Sequence, residues 1–547
     1  MAGQRQVTAP APGASSPEDA AVTWLARRRA HLDPDLAQPD VRLFARKALA
    51  EVALLVGLRS RLDPGPLPGG YRALAGTVRE VASRASYRDL VGGDRRALLL
   101  YAGTYAALRQ CGHEDVDFRH VLEKVVNGRH ATAFERAPYR HLDLLHTLEL
   151  AGIPHRLPGV DQVLPLTLVV ANPNVLELST GDLYAITHAT FYASDFGRRD
   201  IAWPATTSAD DVVAMLEECL LICLARGDAD LTGELLISLT CAGAPESEVV
   251  LAARGALAGW QEPSGRCAGP PGVVPERLLA ADEDWADWAT AYHTTVVVAL
   301  EHLLRRTVGA GRRHPSPRPH RPAAGAGRPV VAAAVRAAAE WLDDPAAPLD
   351  ARTTVWVTEA WRTAGDDGRA RRTLARSAVT PQEALSGDIA RRLATLWTWY
   401  GAEPAPGAPD RVLAGSGEPP SPAAPGLRAR SLEAVSRLLG GDREPRDGTR
   451  PAGAVVRLLV AAAKQAVEDG DLGWLAVMTR GLALLPGVPP RLLGDAVDVL
   501  TLHQQRDGSF GLPSSDPTGR GRREWTLLAL AALVDAGASR YHRSGTP

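Results

Sequence analysis

Two stretches from the first half of this chain return in its second half, in the same order. Residues 179–197 match residues 385–401, with Gly181-Asp182-Leu183 against Gly387-Asp388-Ile389 and Phe191 against Trp397. Residues 258–270 match residues 502–513, with Gln261 and Gly265 against Gln504 and Gly508. The second pair of stretches is preceded by Gly-Asp starts of helical pattern, at Gly227-Asp228 and Gly470-Asp471. Each is followed by an apolar helical run. Residues of roughly 135–306 and 350–537 therefore read as two divergent copies. Repeated helical hairpins cannot bury their apolar faces alone, so they stack or close into a ring. The expected fold is all-α, with two related α/α-toroid-like halves.

The rest of the chain agrees. Residues 41–62, 95–112, 139–153 and 208–227 repeat apolar positions at three- and four-residue spacing, and Gly or Pro punctuates them. Only residues 164–175 look β-like, and they read as an extended connection or short helix. Residues 1–17 are rich in Ala, Pro, Gly and Ser and are expected to be disordered. Ser16-Pro17-Glu18-Asp19 reads as a helix start, with a cap, a proline and acids at the positive end of the dipole. The first domain is expected at 18–306 and a Pro/Arg-rich linker at 307–328. The second domain is expected at 329–540, interrupted by a flexible loop at 402–426.

Formal net charge is −2, so no global field draws in nucleic acid or anionic lipid, and no nucleic-acid partner is expected. Lys47, Lys124 and Lys464 are the lysines among many arginines, which is a signature of a GC-rich genome. Five scattered cysteines form no disulfide framework. The N-terminus carries no secretory pattern, and no apolar run of about 18 residues suggests a transmembrane helix. The expected location is the cytoplasm.

Gln504-Gln505-Arg506-Asp507-Gly508-Ser509-Phe510-Gly511 resembles the glutamine-to-aromatic repeat of terpenoid cyclases. Tyr292-His293-Thr294 resembles the helix start in protein prenyltransferase β subunits whose histidine binds zinc. Both families are α/α toroids, so the resemblance implies that fold. Residues 181–197 also resemble an actinobacterial family with no assigned chemistry. The departures are specific. There is no Asp-x-Asp-Asp acid motif, and aromatics are 5% of the chain, too few for a carbocation cavity. Asp282-Glu283-Asp284 with Asp287 reads as loop rather than a magnesium site. Beside His293 the zinc analogy wants an aspartate and a cysteine. Asp230 and Glu234 lie upstream, but no cysteine stands two residues from Asp230, so the ligand set is incomplete. Cys-His, used by lanthionine cyclases, is absent. No Gly-rich phosphate loop occurs, and no metal or other cofactor is expected.

One helical stripe departs from the usual apolar pattern. Tyr184, His188, Phe191, Tyr192 and Asp195 fall at offsets 0, 4, 7, 8 and 11. The aligned copy has Ala390, Ala394, Trp397, Thr398 and Gly401, with neither His nor Asp. His293, aligned with Trp525, begins a helix made apolar by Val296, Val297, Leu300, Leu303 and Leu304. The candidate catalytic residues are His188, Asp195, His293 and Glu234, with one His as acid or base and Asp195 orienting it. Tyr184, Phe191, Tyr192 and Tyr292 are the candidate substrate contacts. Arg140, His141, Asp143 and His146 are set aside, because 141 and 146 are five apart and face differently. Two functions fit. One is an enzyme of bacterial specialised metabolism, using acid–base chemistry on an apolar, isoprenoid-like or peptide substrate. The other is a non-catalytic helical scaffold that binds a partner protein or another copy of itself.

Overall fold

The computed structural model describes residues 16–37, 41–128, 134–272, 274, 283–309, 328–343, 349–376, 425–440, 453–485, 487–510 and 520–544. Among these the regular structure is helical, and the one β-type contact is an isolated bridge between Gln504 and Phe510. The all-α expectation holds. No helix is long and apolar enough to cross a membrane.

The chain forms two compact units, Met1–Pro173 with Ser179–Arg318, and Asn174–Leu178 with Pro319–Pro547. The main division falls inside the stretch expected to be a linker. The allotment of Asn174–Leu178 to the second unit was not expected. The stretches 385–401 and 402–424, and most of 307–328 and 1–17, lie outside the described residues.

The first unit contains α1 (Pro17–Arg27), α2 (Arg42–Leu62), α3 (Gly69–Ala82), α4 (Ala85–Gly93), α5 (Leu98–Gln110), α6 (Val116–Asn127) and α7 (Pro138–Ala151). It continues with two short pieces, α8 (Val160–Val163) and α9 (Leu168–Ala171), the second of them inside the stretch 164–175 expected as an extended connection or short helix. Then come α10 (Thr180–Ala193), α11 (Ala209–Arg226), α12 (Ala229–Cys241), α13 (Glu248–Trp260) and α14 (Glu283–Leu304). Polar caps start many of them, since the first turn leaves backbone N–H groups without partners. Ser16 Oγ accepts from Asp19 N at 3.1 Å, as the sequence implies. Ser179 and Asp182 form a reciprocal capping box at the start of α10.

Six of these helices pack in a closed order. α2 packs on α5, α5 on α7, α7 on α10, α10 on α12, α12 on α14, and α14 back on α2. The remaining long helices lie against this ring: α1 on α14, α3 on α2, and α11 and α13 on α12. Trp24 of α1 stacks on Trp288 of α14 at 5.5 Å between centroids, and Trp288 stacks on Tyr292 at 5.2 Å. That column seals α14 from outside. Gly233 sets the approach of α12 to α14. A Cβ there would lie 2.5 Å from Val297 Cγ1, so only glycine permits this spacing.

The second unit contains α15 (Arg328–Leu342), α16 (Ala351–Thr363), α17 (Asp367–Ala375), α18 (Pro425–Gly440), α19 (Ala454–Glu468), α20 (Leu472–Leu484), α21 (Pro490–Leu502) and α22 (Arg520–Ser544). The Asn174–Leu178 segment is bound within it by polar groups. The buried Lys464 ammonium donates to the carbonyls of Leu176 and Leu178, both at 2.8 Å, and Asp495 accepts from Val175 N at 2.8 Å.

One matched pair of motifs adopts the same structure in both units. Gln261 Nε2 donates to the carbonyls of Pro17 and Gly265, and Gln504 Nε2 donates to those of Ala334 and Gly508. Gly265 and Gly508 have φ of 92° and 89°. Beyond the turn, Cys267 N donates to Thr295 Oγ1 and Phe510 N to Thr526 Oγ1. Thr295 therefore corresponds to Thr526, and His293 corresponds to Glu524 rather than Trp525. Cys267 and Thr295 are 28 residues apart but Phe510 and Thr526 are 16 apart, so the register between the two copies changes across the intervening segment.

Candidate active site

α12 presents Asp230 and Glu234 one turn apart on a single face. The helix starts at Asp228, whose side chain accepts from Leu231 N at 3.0 Å, directly after Gly227 in the left-handed region. α10 brings Tyr184, Thr187 and His188 to that face. Tyr184 donates to Asp230 Oδ2 at 2.6 Å, and Thr187 to Glu234 Oε2 at 2.6 Å. α14 adds His293 and Thr294, and Thr294 donates to Asp230 Oδ1 at 2.9 Å. The side chains of Asp230 and Glu234 are each only 3% exposed.

Two imidazoles face these carboxylates. His293 Nε2 lies 3.5 Å from Asp230 Oδ2 and 3.6 Å from Glu234 Oε1. His188 Nε2 lies 3.6 Å from the same Glu234 oxygen. On its other side, His293 Nδ1 is 3.1 Å from Glu51 Oε2 on α2, and Glu51 Oε1 is 3.4 Å from Lys47 Nζ. Asp230, Glu234 and His293 each bring one ligand-type atom to within 4.8 Å of the others, a set able to hold a metal ion.

The electrostatics follow from burial and neighbours. Burial works against charge on His293, but Asp230, Glu51 and Glu234 outweigh it and hold the imidazole well above its usual pKa. Burial raises Glu51, yet Lys47 and His293 bring it down to about 2. Glu234 is likewise lowered, with His188 and His293 overriding burial.

Beside this cluster lies a cavity of about 1450 Å³. Lys47, Glu51, Leu54, Leu58 and Arg61 of α2 line it at alternating four- and three-residue steps, a helix stripe. α5 and its approach add Leu98, Leu99 and Leu100. α7 adds Arg140, Asp143, His146 and Thr147, and α10 adds His188 and Tyr192. One wall is thus largely aliphatic and the other polar. Burial raises the Asp143 carboxyl against the opposing pull of His188 and Arg140. Tyr192 is raised well above its usual value by burial and by Asp143.

His146, on the same wall, belongs to a second polar pair whose other member, Asp195, borders a separate recess of about 240 Å³. His146 Nε2 is 2.8 Å from Asp195 Oδ1, and Arg61 Nη2 donates to Asp195 Oδ2 at 2.7 Å. Asp195 and Phe196 both have φ of 51°, an unfavourable region for residues with a side chain. That turn aims Asp195 back at α2 and α7. Burial opposes the charge of Asp195, but His146 and Arg61 hold its pKa far below the usual range.

The expected site residues therefore separate. His188, His293 and Glu234 come together. Asp195 does not join them; it pairs with His146, because α10 ends at Ala193 and the left-handed turn carries residue 195 off the helical stripe. Of the four expected substrate contacts, Tyr192 lines the cavity. Tyr184 is engaged by Asp230, Phe191 packs on Phe196, and Tyr292 is buried in the tryptophan column. Glu51, Lys47, Arg61, Asp143 and His146 were missed. Asp143 and His146 are three apart and share a face, so the five-residue spacing of His141 and His146 says nothing against them.

Among the described residues, the second unit shows no such cluster. Gly227-Asp228 corresponds to Gly470-Asp471, each Gly left-handed and each Asp a helix cap, so Gly473 and Val477 stand where Asp230 and Glu234 do. No curated protein and no solved structure matches the chain. A family model described as a domain of unknown function, DUF6895, matches residues 18–303, more than half of the chain and every residue of the cluster, and the chain belongs to that family.

Proposed function

We propose that the first unit is an enzyme that performs acid–base chemistry on a largely apolar small molecule or peptide held in the ring cavity. The closed order of six helices supports an α/α-toroid-like reading of this unit. The observation that carries the proposal is the pairing of His146 with Asp195, since His146 lines the same cavity as His188, Asp143 and Tyr192. A buried ionised aspartate on one imidazole nitrogen fixes the tautomer and leaves the other nitrogen as a base. Asp195, ionised and also bound by Arg61, keeps the proton on Nε2, so Nδ1 of His146 is free to take a proton from a substrate. Asp195 then stabilises the imidazolium. The aliphatic wall of Leu54, Leu58 and Leu98 suits an apolar substrate body, and the polar wall orients it.

The test is untargeted. Wild type, His146→Gln and Asp195→Asn are incubated with a small-molecule and peptide extract, and masses are compared over time. A species consumed by wild type and spared by both variants, all three with the same helical circular dichroism, supports the reading. An extract left unchanged by wild type, with a partner protein retained instead, would favour the scaffold.

A further inference from the structure

We infer that Asp230, Glu234 and His293 bind one divalent transition-metal ion, with His188 beside it. The inference stands apart from the acid–base reading, since His146 and Asp195 take no part in it.

Distance is the first argument. The three contacts around Glu234 Oε1 and His293 Nε2 measure 3.5, 3.6 and 3.6 Å. Hydrogen bonds between nitrogen and oxygen run at about 2.7–3.2 Å, so these are too long to be good ones. Two ligands each about 2.0–2.2 Å from one ion at a tetrahedral angle lie roughly 3.3–3.6 Å apart. The two His293 spacings match edges of a coordination polyhedron, and all three ligand atoms lie within 4.8 Å of one another.

The surrounding hydrogen bonds are the second argument. A metal-bound histidine commonly donates its other N–H to a carboxylate, and metal-bound carboxylates are themselves held by donors. His293 Nδ1 faces Glu51 while Nε2 faces the two acids. Tyr184 and Thr294 hold Asp230, and Thr187 holds the Glu234 oxygen that faces away from the imidazoles. The Glu234 oxygen facing both imidazoles is left to coordinate. His188 Nδ1 is buried without a hydrogen-bond partner, while Nε2 is turned to the cluster.

Charge is the third. A metal-bound imidazole is neutral, so in the metal-bound state Lys47 offsets one of the three carboxylates of Glu51, Asp230 and Glu234 and two negative charges remain. A dication balances them, whereas an uncompensated buried charge is costly. Imidazole with carboxylate and no thiolate favours zinc, manganese, iron or cobalt over calcium and magnesium. Three protein ligands leave a further position for His188 or a cavity ligand.

The experiment measures binding, not turnover. The full-length protein is stripped with a chelator, then titrated with zinc, manganese, iron(II) and cobalt(II) by calorimetry, with bound metal counted by mass spectrometry. Wild type should take up one equivalent. Asp230→Asn and His293→Ala should each weaken binding by 100-fold or more with helical circular dichroism retained. Glu51→Gln, which leaves the ligands in place, should weaken it by about 10–100-fold. Should His293→Ala lose its helical signal, Asp230→Asn and Glu51→Gln decide by the same criterion. No uptake of any of the four ions by folded wild type, or variants that bind as tightly as wild type, would overturn the assignment.

Discussion

His293 and Glu51 stand 242 residues apart in the chain and 3.1 Å apart in the fold. The contact exists because α14 packs back on α2 and closes the ring of six helices. Both side chains are half-buried, and each sits beside a charge of the opposite sign. Ring closure and site assembly are one event.

The approach of α12 to α14 should control that assembly. Gly233→Ala drives a Cβ to 2.5 Å from Val297 Cγ1, a stiff β-branched neighbour. The overpacking should cost about 1–3 kcal/mol, partly offset by the better helix propensity of alanine. Val297→Ala in the same chain should recover most of the loss. A double-mutant cycle by urea denaturation measures the coupling, and additive effects would contradict the contact.

The glutamine-clamped turns should be intolerant of any side chain. A Cβ on Gly265 would meet Ala20 O at 2.0 Å, and one on Gly508 would meet Ala337 O at 2.2 Å, both against backbone and both at positive φ. Alanine at either position should cost more than about 2 kcal/mol. The effect of each variant should appear in its own unit, read by limited proteolysis mapped to the two halves.

Asp195 should make the first unit acid-sensitive. Its pKa is depressed in the folded state, so the stability it contributes is present above its unfolded value of about 3.9 and is lost as pH falls below that. Asp195→Asn keeps a residue tolerant of the left-handed turn while removing the charge opposite Arg61 and His146. It should cost about 3–5 kcal/mol at neutral pH, and the gap to wild type should close on acidification. Chemical denaturation at pH 7 and pH 3 checks both statements.

Asp495 should act in the opposite sense. Burial lifts its pKa from 3.8 to about 6, although the Val175 N–H and Arg491 oppose the rise. The folded state holds the proton more tightly than the unfolded one, so stability should fall as pH rises from about 4 to about 6. The loss should be on the order of 2–3 kcal/mol. Asp495→Asn can still accept from Val175 N and should flatten this dependence. A stability that rises across that window in wild type would refute the reading.

Helix class, cap positions and the glutamine–glycine turns were legible in the chain, because each rests on contacts within a few residues. Ser16 capping α1 and the matched turns at Gln261 and Gln504 are of that kind. His188, His293 and Glu234 could also be singled out, since each is polar where helical spacing calls for an apolar residue, and the repeat offered a second copy for contrast. Which groups meet was not legible. Asp195 shares the α10 stripe in sequence, yet it and Phe196 are left-handed ahead of the left-handed Gly197, and the glycine by itself does not announce that the two residues before it share its conformation. Glu51 and Lys47 look like any exposed i,i+4 ion pair until α14 is packed against α2. The sequence alone therefore determined that the chain is helical and where its local signals lie, because those energies are short-range. The tertiary structure alone decided that four helices deliver three carboxylates and two imidazoles to one buried point, because only ring closure sets the distances on which charge and coordination depend.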